Sequence, residues 1–483
     1  MRAYHSALNA LGLIIMIFGL LMTFPLTVSF GLGEGIRFRD SIIITFLVGL
    51  LLWVLTRRGR RDLRVHDGFL LVAATWIVLP VFGALPLLLN IPGLTVTDAY
   101  FEAVSGLTAT GGTVLTHLDD LPVSLNLWRT FMHWVGGMGV IVLVVAILPL
   151  LGIGGRQLFK AEVPTPMKES SLTPRIAETA KGLWLTYMLI TLACGLSLWW
   201  AGLGPWDAVI HSFSITGLGG FSSKDASLAY FNNPAVEAVA AGFALMSGLN
   251  FATHYMALVR RSTLPYRRDP ELPFYFGVLA FSIVMLTAYL MEAGTHADLA
   301  TTLRYVAFHV VSISTSLGLA TYDYTHWPPF AQIWVLFLGS FVACSGSTGG
   351  GIKMMRAMIL YKQVLREIVR SLHPSVVVPV RIGTQPLPEG ILHAVLGFSF
   401  MYMVSIVSLT LLLSASGLEL ITAFSAVVAC LNNTGPGLAE VGPASNYQAL
   451  ADFHKWVLSF TMILGRLEIF TLLVVLTPAF WRR

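Results

Sequence analysis

The sequence predicts an all-α polytopic membrane protein with about ten transmembrane helices, a prediction that rests on composition and on the length of its apolar runs. Hydrophobic residues make up 55% of the 483 residues and charged residues only 11%, whereas a soluble domain carries about 25% charged residues. Apolar runs of roughly 20 residues have the length at which a helix spans a bilayer. A transmembrane barrel would instead show alternating segments of about ten residues, so the long unbroken runs favour helices.

The predicted spans follow these runs in chain order. They lie near residues 7–30, 40–56, 68–90, 128–151, 183–203, 235–259, 272–293, 328–356, 390–416 and 453–481. The first run is longer than the apolar core of a typical signal peptide and no convincing cleavage site follows it, so we interpret it as a retained helix.

Basic residues predict the orientation of these spans. Arg2 and the basic segments hold 23 of the 30 Lys and Arg residues, the segments being 57–64, 156–181, 260–268, 353–381 and the final WRR. Ten spans place all of these segments on one side of the membrane, and the positive-inside rule makes that side cytoplasmic. Both termini are then cytoplasmic. The net charge of +5 follows from this topology and does not indicate nucleic-acid binding.

Four glycine loops interrupt the spans in the same way. Glycine loops one to four are SGLTATGGTV (105–114), SITGLGGFSS (214–223), ISTSLGLATY (313–322) and CLNNTGPGLA (430–439). Aligned on Gly111, Gly219, Gly318 and Gly435, they recur at intervals of 108, 99 and 117 residues. Thr or Asn stands three residues before each of these glycines. An apolar segment of about a dozen residues precedes each loop, which is too short to span a bilayer and predicts a re-entrant half-helix.

These loops suit the passage of a cation. Non-helical backbone at membrane depth is tolerated where it lines a cavity or is buried in protein, and glycine allows a backbone that other residues avoid. Four such loops around one axis form rings of carbonyl oxygens that replace an ion's hydration shell. The carbonyl end of each half-helix adds a partial negative charge. We therefore predict four helix–re-entrant half-helix–helix repeats around one pseudo-four-fold pore. The alternative is ordinary glycine-rich outer loops.

The loops and their surroundings resemble a known family. The motifs FEAVSGLTATG, HSFSITGLGGFS, GSTGGGIKMMR and CLNNTGPGL are similar to those of the Trk/Ktr/HKT superfamily of potassium transporters, and most closely of its TrkH-type membrane subunits. The resemblance covers nearly the whole chain. It implies an N-terminal two-helix pair in residues 1–66 and four pore repeats in 67–160, 161–268, 269–380 and 381–483.

The resemblance also implies the site and its ion. The potassium-binding filter would consist of Thr110, Gly111, Leu218, Gly219, Leu317, Gly318, Thr434 and Gly435. The chain would take up potassium across the bacterial inner membrane, down its gradient or by symport with a coupled ion. It would form a homodimer and bind a cytosolic regulatory subunit of TrkA type that carries the nucleotide-binding domains, so that no nucleotide binds this chain. A sodium-permeable or sodium-coupled pore stays as the alternative within transport.

A glycine-rich segment, CSGSTGGGIK (344–353), lies inside the eighth predicted span. Each glycine costs a helix about 1 kcal/mol relative to alanine, so Gly346, Gly349, Gly350 and Gly351 predict a flexible break near membrane depth. The resemblance implies that this segment is an intramembrane gating loop. The alternatives are a simple helix kink and a nucleotide P-loop. A P-loop needs Gly-Lys followed by Ser or Thr, whereas Gly351 is followed by Ile352 and Lys353.

Arg466 is the basic residue that lies deepest inside a predicted span, near the centre of 453–481. An intramembrane charge is costly and usually faces a cavity or a partner. The resemblance places an arginine in the last span near the gating loop, matched here by LGRLE (464–468). We predict that Arg466 is a local barrier to cations. The alternative is a structural ion pair with Glu468 or another carboxylate.

The remaining polar residues carry weaker signals. Asp119, Asp120, Asp225, Asp323 and Glu440 follow the loops and either concentrate cations at the mouth or are ordinary solvated charges. Three histidines in apolar sequence contexts are expected to be satisfied core residues rather than proton relays; they are His133, His211 and His309. The isolated cysteines indicate neither disulfides nor a zinc site. A membrane-embedded enzyme is disfavoured because HExxH, GxSxG and clustered Cys, His or Asp residues are absent from the sequence.

Overall fold

A computed structural model describes residues 5–57, 65–151, 173–383 and 385–482. Arg2, residues 58–64 and the greater part of the basic loop at 156–181 lie outside the described residues, so the predicted orientation stays a prediction. Within the described residues the chain is mostly helical, with one short antiparallel pair of strands, β1 (Arg381–Ile382) and β2 (Gln385–Pro386).

The described chain contains both long apolar helices and short ones. In the first half they are α1 His5–Leu21, α2 Thr23–Leu32, α3 Phe38–Thr56, α4 Val65–Gly83, α5 Leu85–Asn90, α6 Val96–Leu107, α7 Val123–Leu151, α8 Thr173–Trp200, α9 Pro205–Gly217, α10 Pro234–Ser247 and α11 Phe251–Arg260. In the second half they are α12 Leu264–Arg268, α13 Leu272–Glu292, α14 Leu299–Ser314, α15 Pro329–Leu338, α16 Met354–Leu372, α17 Glu389–Ala415, α18 Leu420–Leu431, α19 Asp452–Arg466, α20 Phe470–Leu476 and α21 Pro478–Trp481.

Six helical segments of the described chain are long and apolar enough to cross a membrane: His5–Leu32, Phe38–Thr56, His66–Asn90, Ala180–Trp200, Leu272–Glu292 and Glu389–Ala415. Two bent helix pairs raise the number to eight if each counts as one span. α10 and α11 meet at 91°, and α19 and α20 meet at 116°. These eight segments coincide with eight predicted spans, and the predicted span at 128–151 falls within the 29-residue helix α7.

The predicted span at 328–356 is not one continuous helix. α15 ends at Leu338 and α16 begins at Met354, so the break that the glycines predict extends through the second half of that span. Gly346 and Gly351 have φ values of 74° and 82°, a backbone conformation that a right-handed helix cannot contain. The glycine-rich 344–353 segment therefore lies in irregular backbone between two helices.

The four short helices that precede the glycine loops are α6, α9, α14 and α18, called half-helices after the prediction, and most of their residues are buried. In α18, for example, the residues from Ser425 to Leu431 are all buried. Long outer helices instead expose large apolar side chains, such as Leu55, Trp200 and Phe400, as expected for a surface that faces lipid. The short helices end inside protein, and irregular backbone that is buried in protein is tolerated at membrane depth, so their burial is compatible with the predicted re-entrant arrangement.

The N-terminal pair packs through a close contact between glycines. A Cβ atom on Gly12 would lie 2.9 Å from the carbonyl oxygen of Gly49, so α1 and α3 approach each other at their backbones. Small residues allow this kind of contact between membrane helices. The Asn9 amide nitrogen donates to the Trp53 carbonyl at 3.0 Å and strengthens the crossing. The pair is thus a compact unit beside the helices that hold the loops.

Candidate ion-conducting site

The four half-helices end in the same hydrogen-bonding pattern. A backbone N–H bonds to a carbonyl five residues earlier, at 2.7–2.9 Å: Thr110 to Ser105, Gly219 to Ser214, Leu317 to Ser312 and Thr434 to Ala429. The residue before each donor has a left-handed backbone: Ala109 (φ 51°), Leu218 (φ 52°), Ser316 (φ 66°) and Asn433 (φ 52°). This is a Schellman motif, which usually places glycine at the left-handed position. Other residues there cost roughly 1–2 kcal/mol, and such strain is concentrated at functional sites.

The residue that follows each donor is a glycine with positive φ. These glycines are Gly111 (φ 88°), Gly220 (φ 84°), Gly318 (φ 78°) and Gly435 (φ 90°). The structural equivalent in loop two is therefore Gly220, one residue after the Gly219 chosen by sequence alignment. The reason is that loop two reads Thr-Gly-Leu-Gly-Gly and α9 continues to Gly217, which shifts the turn by one residue. In the corrected register Gly219 corresponds to Thr110, Leu317 and Thr434, and Leu218 corresponds to Ala109.

The four loops contact one another in cyclic order. A Cβ atom on Gly111 would overlap the carbonyl oxygen of Gly219 in loop two, and a Cβ atom on Gly220 would overlap the carbonyl oxygen of Leu317 in loop three. A Cβ atom on Gly318 would overlap the carbonyl oxygen of Thr434 in loop four, and a Cβ atom on Gly435 would overlap the carbonyl oxygen of Thr110 in loop one. Each loop thus lies against the next, and the fourth closes on the first. The predicted filter residues, far apart in sequence, come together in one closed circle of backbone contacts. Any residue larger than glycine at these positions would force the circle apart.

A buried ion pair supports loops one and two, and the sequence analysis did not find it. Arg129 on α7 and Glu102 on α6 are both fully buried, with 2.8 Å between the guanidinium and the carboxylate. Arg129 also donates to the Ser222 carbonyl at 3.1 Å, and Glu102 accepts from the Val114 N–H at 3.0 Å. The sequence offered two weak signals for this ion pair. Glu102 lies within an otherwise apolar half-helix, and Arg129 lies at the start of an apolar run.

A cavity of about 70 Å³ is lined by residues of all four loops, among them Gly111, Gly220, Gly318 and Gly435. The acidic residues near it have structural partners. Asp119 lies 3.5 Å from the Lys224 ammonium, and Asp225 accepts from the Leu118 N–H at 3.1 Å. Asp323 caps a short 3₁₀ turn by accepting from the Thr325 N–H. The contacts of Asp119 and Asp225 connect the segments that follow loops one and two. The contact of Asp323 stabilises the turn after loop three, so these carboxylates have structural roles in addition to any effect of their charge.

The 344–353 segment lies directly against the ends of three half-helices. The Thr348 hydroxyl donates to the Thr216 carbonyl at 3.3 Å, and the Gly350 N–H donates to the Ser316 hydroxyl at 3.3 Å. A Cβ atom on Gly349 would lie 2.7 Å from the Thr315 carbonyl oxygen. A Cβ atom on Gly350 would overlap the Asn432 carbonyl oxygen. The glycines therefore permit a close backbone contact that a simple helix kink would not require.

Arg466 holds this segment through carbonyl groups. Its guanidinium donates to the Thr348 carbonyl at 2.8 Å and to the Gly136 carbonyl on α7 at 2.7 Å. Glu468, the partner considered in the structural alternative, pairs instead with Arg356. Arg466 is the last residue of α19, at the break before α20, so its backbone lies at an interruption rather than in mid-helix.

Lys353 adds a second buried cation to the 344–353 segment. Its ammonium donates to the carbonyl of Gly349 and to that of Ser347 at 3.3 Å, and the residue itself has a φ of 71°. Two positive groups, Lys353 and Arg466, thus occupy carbonyl oxygens of the same short segment. The sequence analysis did not assign Lys353 to the site, although it noted the residue after Ile352.

The helices, the closed circle of loops and the buried cations beneath them define a polytopic helical membrane protein of the transport class. A family model described as "TrkH: Cation transport protein" matches residues 34–482, and the chain belongs to this family. It is 43% identical to the Trk system potassium uptake protein TrkH of Salmonella typhimurium over 99% of both chains. It is 38% identical to the Trk system potassium uptake protein TrkG of Escherichia coli strain K12, with 98% of this chain and 97% of that protein covered.

A solved structure has the same fold. The crystal structure of the potassium transporter TrkH from Vibrio parahaemolyticus superposes with a TM-score of 0.90 at 40% identity, covering 99% of this chain and 100% of that one. These comparisons confirm the resemblance stated from the motifs. The relatives are named for uptake and transport, which points away from the membrane-embedded enzyme considered from sequence.

Proposed function

We propose that this chain is the membrane subunit of a potassium-uptake system and that K⁺ crosses the bacterial inner membrane through its four glycine loops. The observation that carries the proposal is the cyclic contact of Gly111, Gly220, Gly318 and Gly435 with the carbonyls of the neighbouring loops. The names of the relatives, which describe potassium uptake, support K⁺ as the ion. The four repeats at 67–160, 161–268, 269–380 and 381–483 would each contribute one loop.

The proposed filter works through backbone carbonyls. A partly dehydrated K⁺ loses water oxygens and gains carbonyl oxygens in exchange, here from the residues before the glycines and from the glycines themselves. Each half-helix directs its carbonyl end, with about half a negative charge, toward the same region. Both effects favour a cation. The absence of Cβ atoms at the four glycines allows the loops to stand close enough for their carbonyls to surround one ion.

We propose that the 344–353 segment blocks the path beneath the filter. Its contacts with Thr216, Ser316 and Asn432 support this role, because they place it against the ends of the half-helices. Arg466 supplies a positive charge at the same place. At about 6 Å two like unit charges repel by roughly 0.7 kcal/mol in water and about 2.8 kcal/mol at an effective dielectric of 20. Opening would require the Arg466–Thr348 contact to break.

Regulation is proposed to come from a cytosolic TrkA-type partner, with the transporter as a homodimer and both termini in the cytoplasm. α16 begins directly after the 344–353 segment and carries Arg356, Lys362, Arg366 and Arg370. A partner that moved α16 would therefore pull on the segment. The nucleotide is proposed to bind the partner; the glycine-rich segment of this chain does not match a P-loop, because Gly351 is followed by Ile352 and Lys353.

The test is rescue of growth at low potassium. A bacterium without its own potassium-uptake systems, expressing this chain together with a TrkA-type subunit, is expected to grow at micromolar K⁺. Growth that instead requires Na⁺ at fixed K⁺ would favour the sodium-coupled alternative. Failure to grow, with the protein demonstrated in the membrane, would contradict the proposal.

A further inference from the structure

Each half-helix carries one buried hydrogen-bond acceptor that reaches the chain just beyond the positive-φ glycine of its loop. We infer that Glu102, His211, His309 and Ser425 are positioning residues. In each loop they hold the segment of chain that follows the positive-φ glycine of the proposed filter. This inference rests on the proposed function, because it assigns them a part in discriminating between ions. None of them is proposed to contact the ion.

His309 on α14 shows the arrangement most clearly. Its Nδ1 lies 2.8 Å from the Tyr305 carbonyl oxygen, which can only accept, so Nδ1 carries the proton. Its Nε2 lies 3.4 Å from the backbone nitrogen of Thr321, which can only donate. The two bonds therefore define a neutral imidazole with Nε2 as acceptor. Thr321 is three residues after Gly318, so the ring connects the half-helix to the far side of the loop.

His211 on α9 occupies the same place in loop two. Its Nδ1 donates to the Asp207 carbonyl at 2.7 Å, which leaves Nε2 as the acceptor for the Ser222 hydroxyl at 2.9 Å. The Ser222 oxygen in turn accepts from the Lys224 N–H at 3.1 Å. The hydrogen bonds thus run in one direction from the loop to the half-helix.

Glu102 and Ser425 do the same in loops one and four with different chemistry. The Glu102 carboxylate accepts from the Val114 N–H at 3.0 Å, and the Ser425 hydroxyl oxygen accepts from the Leu438 N–H at 2.9 Å. Val114 and Leu438 are each three residues after the glycine of their loop, Gly111 and Gly435. Glu102 carries a charge and is therefore compensated by Arg129.

The four residues have similar spacings from the positive-φ glycines of their loops. Glu102, His211 and His309 stand nine residues before Gly111, Gly220 and Gly318, and Ser425 stands ten before Gly435. All four are buried, with exposures of 0%. Beyond each glycine the chain has left the half-helix, so its N–H groups need other acceptors. A buried acceptor on the half-helix limits how far the loop can move away from the pore axis. The positions of the loops in turn set the distance between the carbonyl oxygens of opposite loops.

The test compares His309→Gln with His309→Phe in purified, reconstituted protein. Glutamine places an oxygen near the position of Nε2 and keeps the acceptor, whereas phenylalanine keeps the ring volume and strands the Thr321 N–H. The K⁺ over Na⁺ permeability ratio is expected to fall about five- to tenfold in His309→Phe, as for an unpaired buried donor, and to stay within about twofold of wild type in His309→Gln. An equal loss in both variants would overturn the inference, because the acceptor would not be the cause.

His454→Phe is the matched control. His454 on α19 also makes a hydrogen bond, 3.0 Å between its Nε2 and the Ser416 hydroxyl oxygen; this bond is partly buried, and both residues lie outside the four glycine loops. It is expected to lower the melting temperature without changing the permeability ratio. An unchanged K⁺ over Na⁺ permeability ratio in well-folded His309→Phe would overturn the inference. The proposed function would remain intact in that case, because the wild-type protein would still select K⁺. Wild-type protein without any preference for K⁺ would instead defeat the proposed function.

Ser425→Ala and Ser425→Thr repeat the test in another loop if His309→Phe fails to fold. Alanine removes the acceptor for the Leu438 N–H, whereas threonine keeps a hydroxyl. The alanine variant is expected to lose selectivity several-fold and the threonine variant to retain it. Equal permeability ratios in the two variants would contradict the inference.

Discussion

Gly111 lies against the carbonyl of Gly219 so closely that a Cβ atom on Gly111 would overlap the oxygen. The same relationship joins each glycine loop to the next. It provides a physical reason for glycine at these positions beyond backbone freedom, because the space that a side chain would need is already filled by the carbonyl of another loop.

Replacing Gly318 with Ser is expected to weaken discrimination between K⁺ and Na⁺. The new side chain would overlap the Thr434 carbonyl and require a φ of 78° that serine adopts only with strain, so the neighbouring loop must move. Bi-ionic permeability ratios in reconstituted protein measure the effect. Gly242→Ser on α10 is the control, since a Cβ there meets no atom within 4 Å. Equal ratios in the two variants would remove Gly318 from the filter.

The register of loop two has its own test. Gly220→Ala is expected to impair selectivity, and no second substitution of a side chain should rescue it. The added Cβ would lie against the backbone carbonyl of Leu317 at a φ of 84°. At Gly219 an added Cβ would instead meet the His133 ring, a side chain that can be removed. The double variant Gly219→Ala with His133→Ala should therefore recover permeability ratios lost in Gly219→Ala alone. If His133→Ala rescued Gly220→Ala but did not rescue Gly219→Ala, the structural register would be wrong, and Gly219 would again be the equivalent of Gly111, Gly318 and Gly435.

Deleting Gly346 to Gly351 is expected to raise basal ion flux and to reduce the dependence of flux on the cytosolic partner. The deletion removes the backbone that packs against Thr315 and Asn432, and with it the proposed barrier. Flux per folded molecule, with and without the partner subunit, measures the change. If the deletion protein is monodisperse and its flux equals that of wild type, the segment is a kink and not a gate.

Arg466→Ala and Arg466→Gln are expected to raise potassium flux, from a few-fold to tens-fold, because a charge near the path is removed. The upper range corresponds to a barrier of about 2.8 kcal/mol, roughly a hundredfold before screening by water. Arg466→Lys should remain near wild type since it keeps the charge. Because Glu468 pairs with Arg356, the neutral variants leave no stranded carboxylate and should fold. Well-folded Arg466→Ala that conducts no faster than wild type would exclude the barrier role.

Much of the fold follows from apolar run length alone. Eight predicted spans recur as long or bent helices, since a run of about 20 apolar residues has few alternatives in a bilayer. The bends at α10–α11 and α19–α20 were not predicted, because neither break contains a proline; at the first break the Asn250 side chain caps the start of α11. At the second break, for instance, Glu468 and Ile469 have φ values of 52° and 59°, which nothing in LGRLEIF indicates.

The candidate site could be predicted from the sequence where it depends on repetition. Four similar loops identified the glycines, but the register of loop two depends on which glycine follows the Schellman turn, and Thr-Gly-Leu-Gly-Gly allows two answers. The Arg129–Glu102 pair and the His309–Thr321 contact could not be predicted. They connect residues on different elements, and a single polar residue in an apolar segment does not indicate its partner.

Ion influx into proteoliposomes, with K⁺ and Na⁺ compared side by side, tests the central claim most directly. The purified chain is reconstituted with and without a TrkA-type subunit, and influx of each ion is followed down the same imposed gradient. K⁺ influx is expected to exceed Na⁺ influx in wild type, and the preference should fall in Gly318→Ser but not in Gly242→Ser. Equal K⁺ and Na⁺ influx in wild type, or a preference that is the same in all three proteins, would contradict a potassium filter built from the four loops.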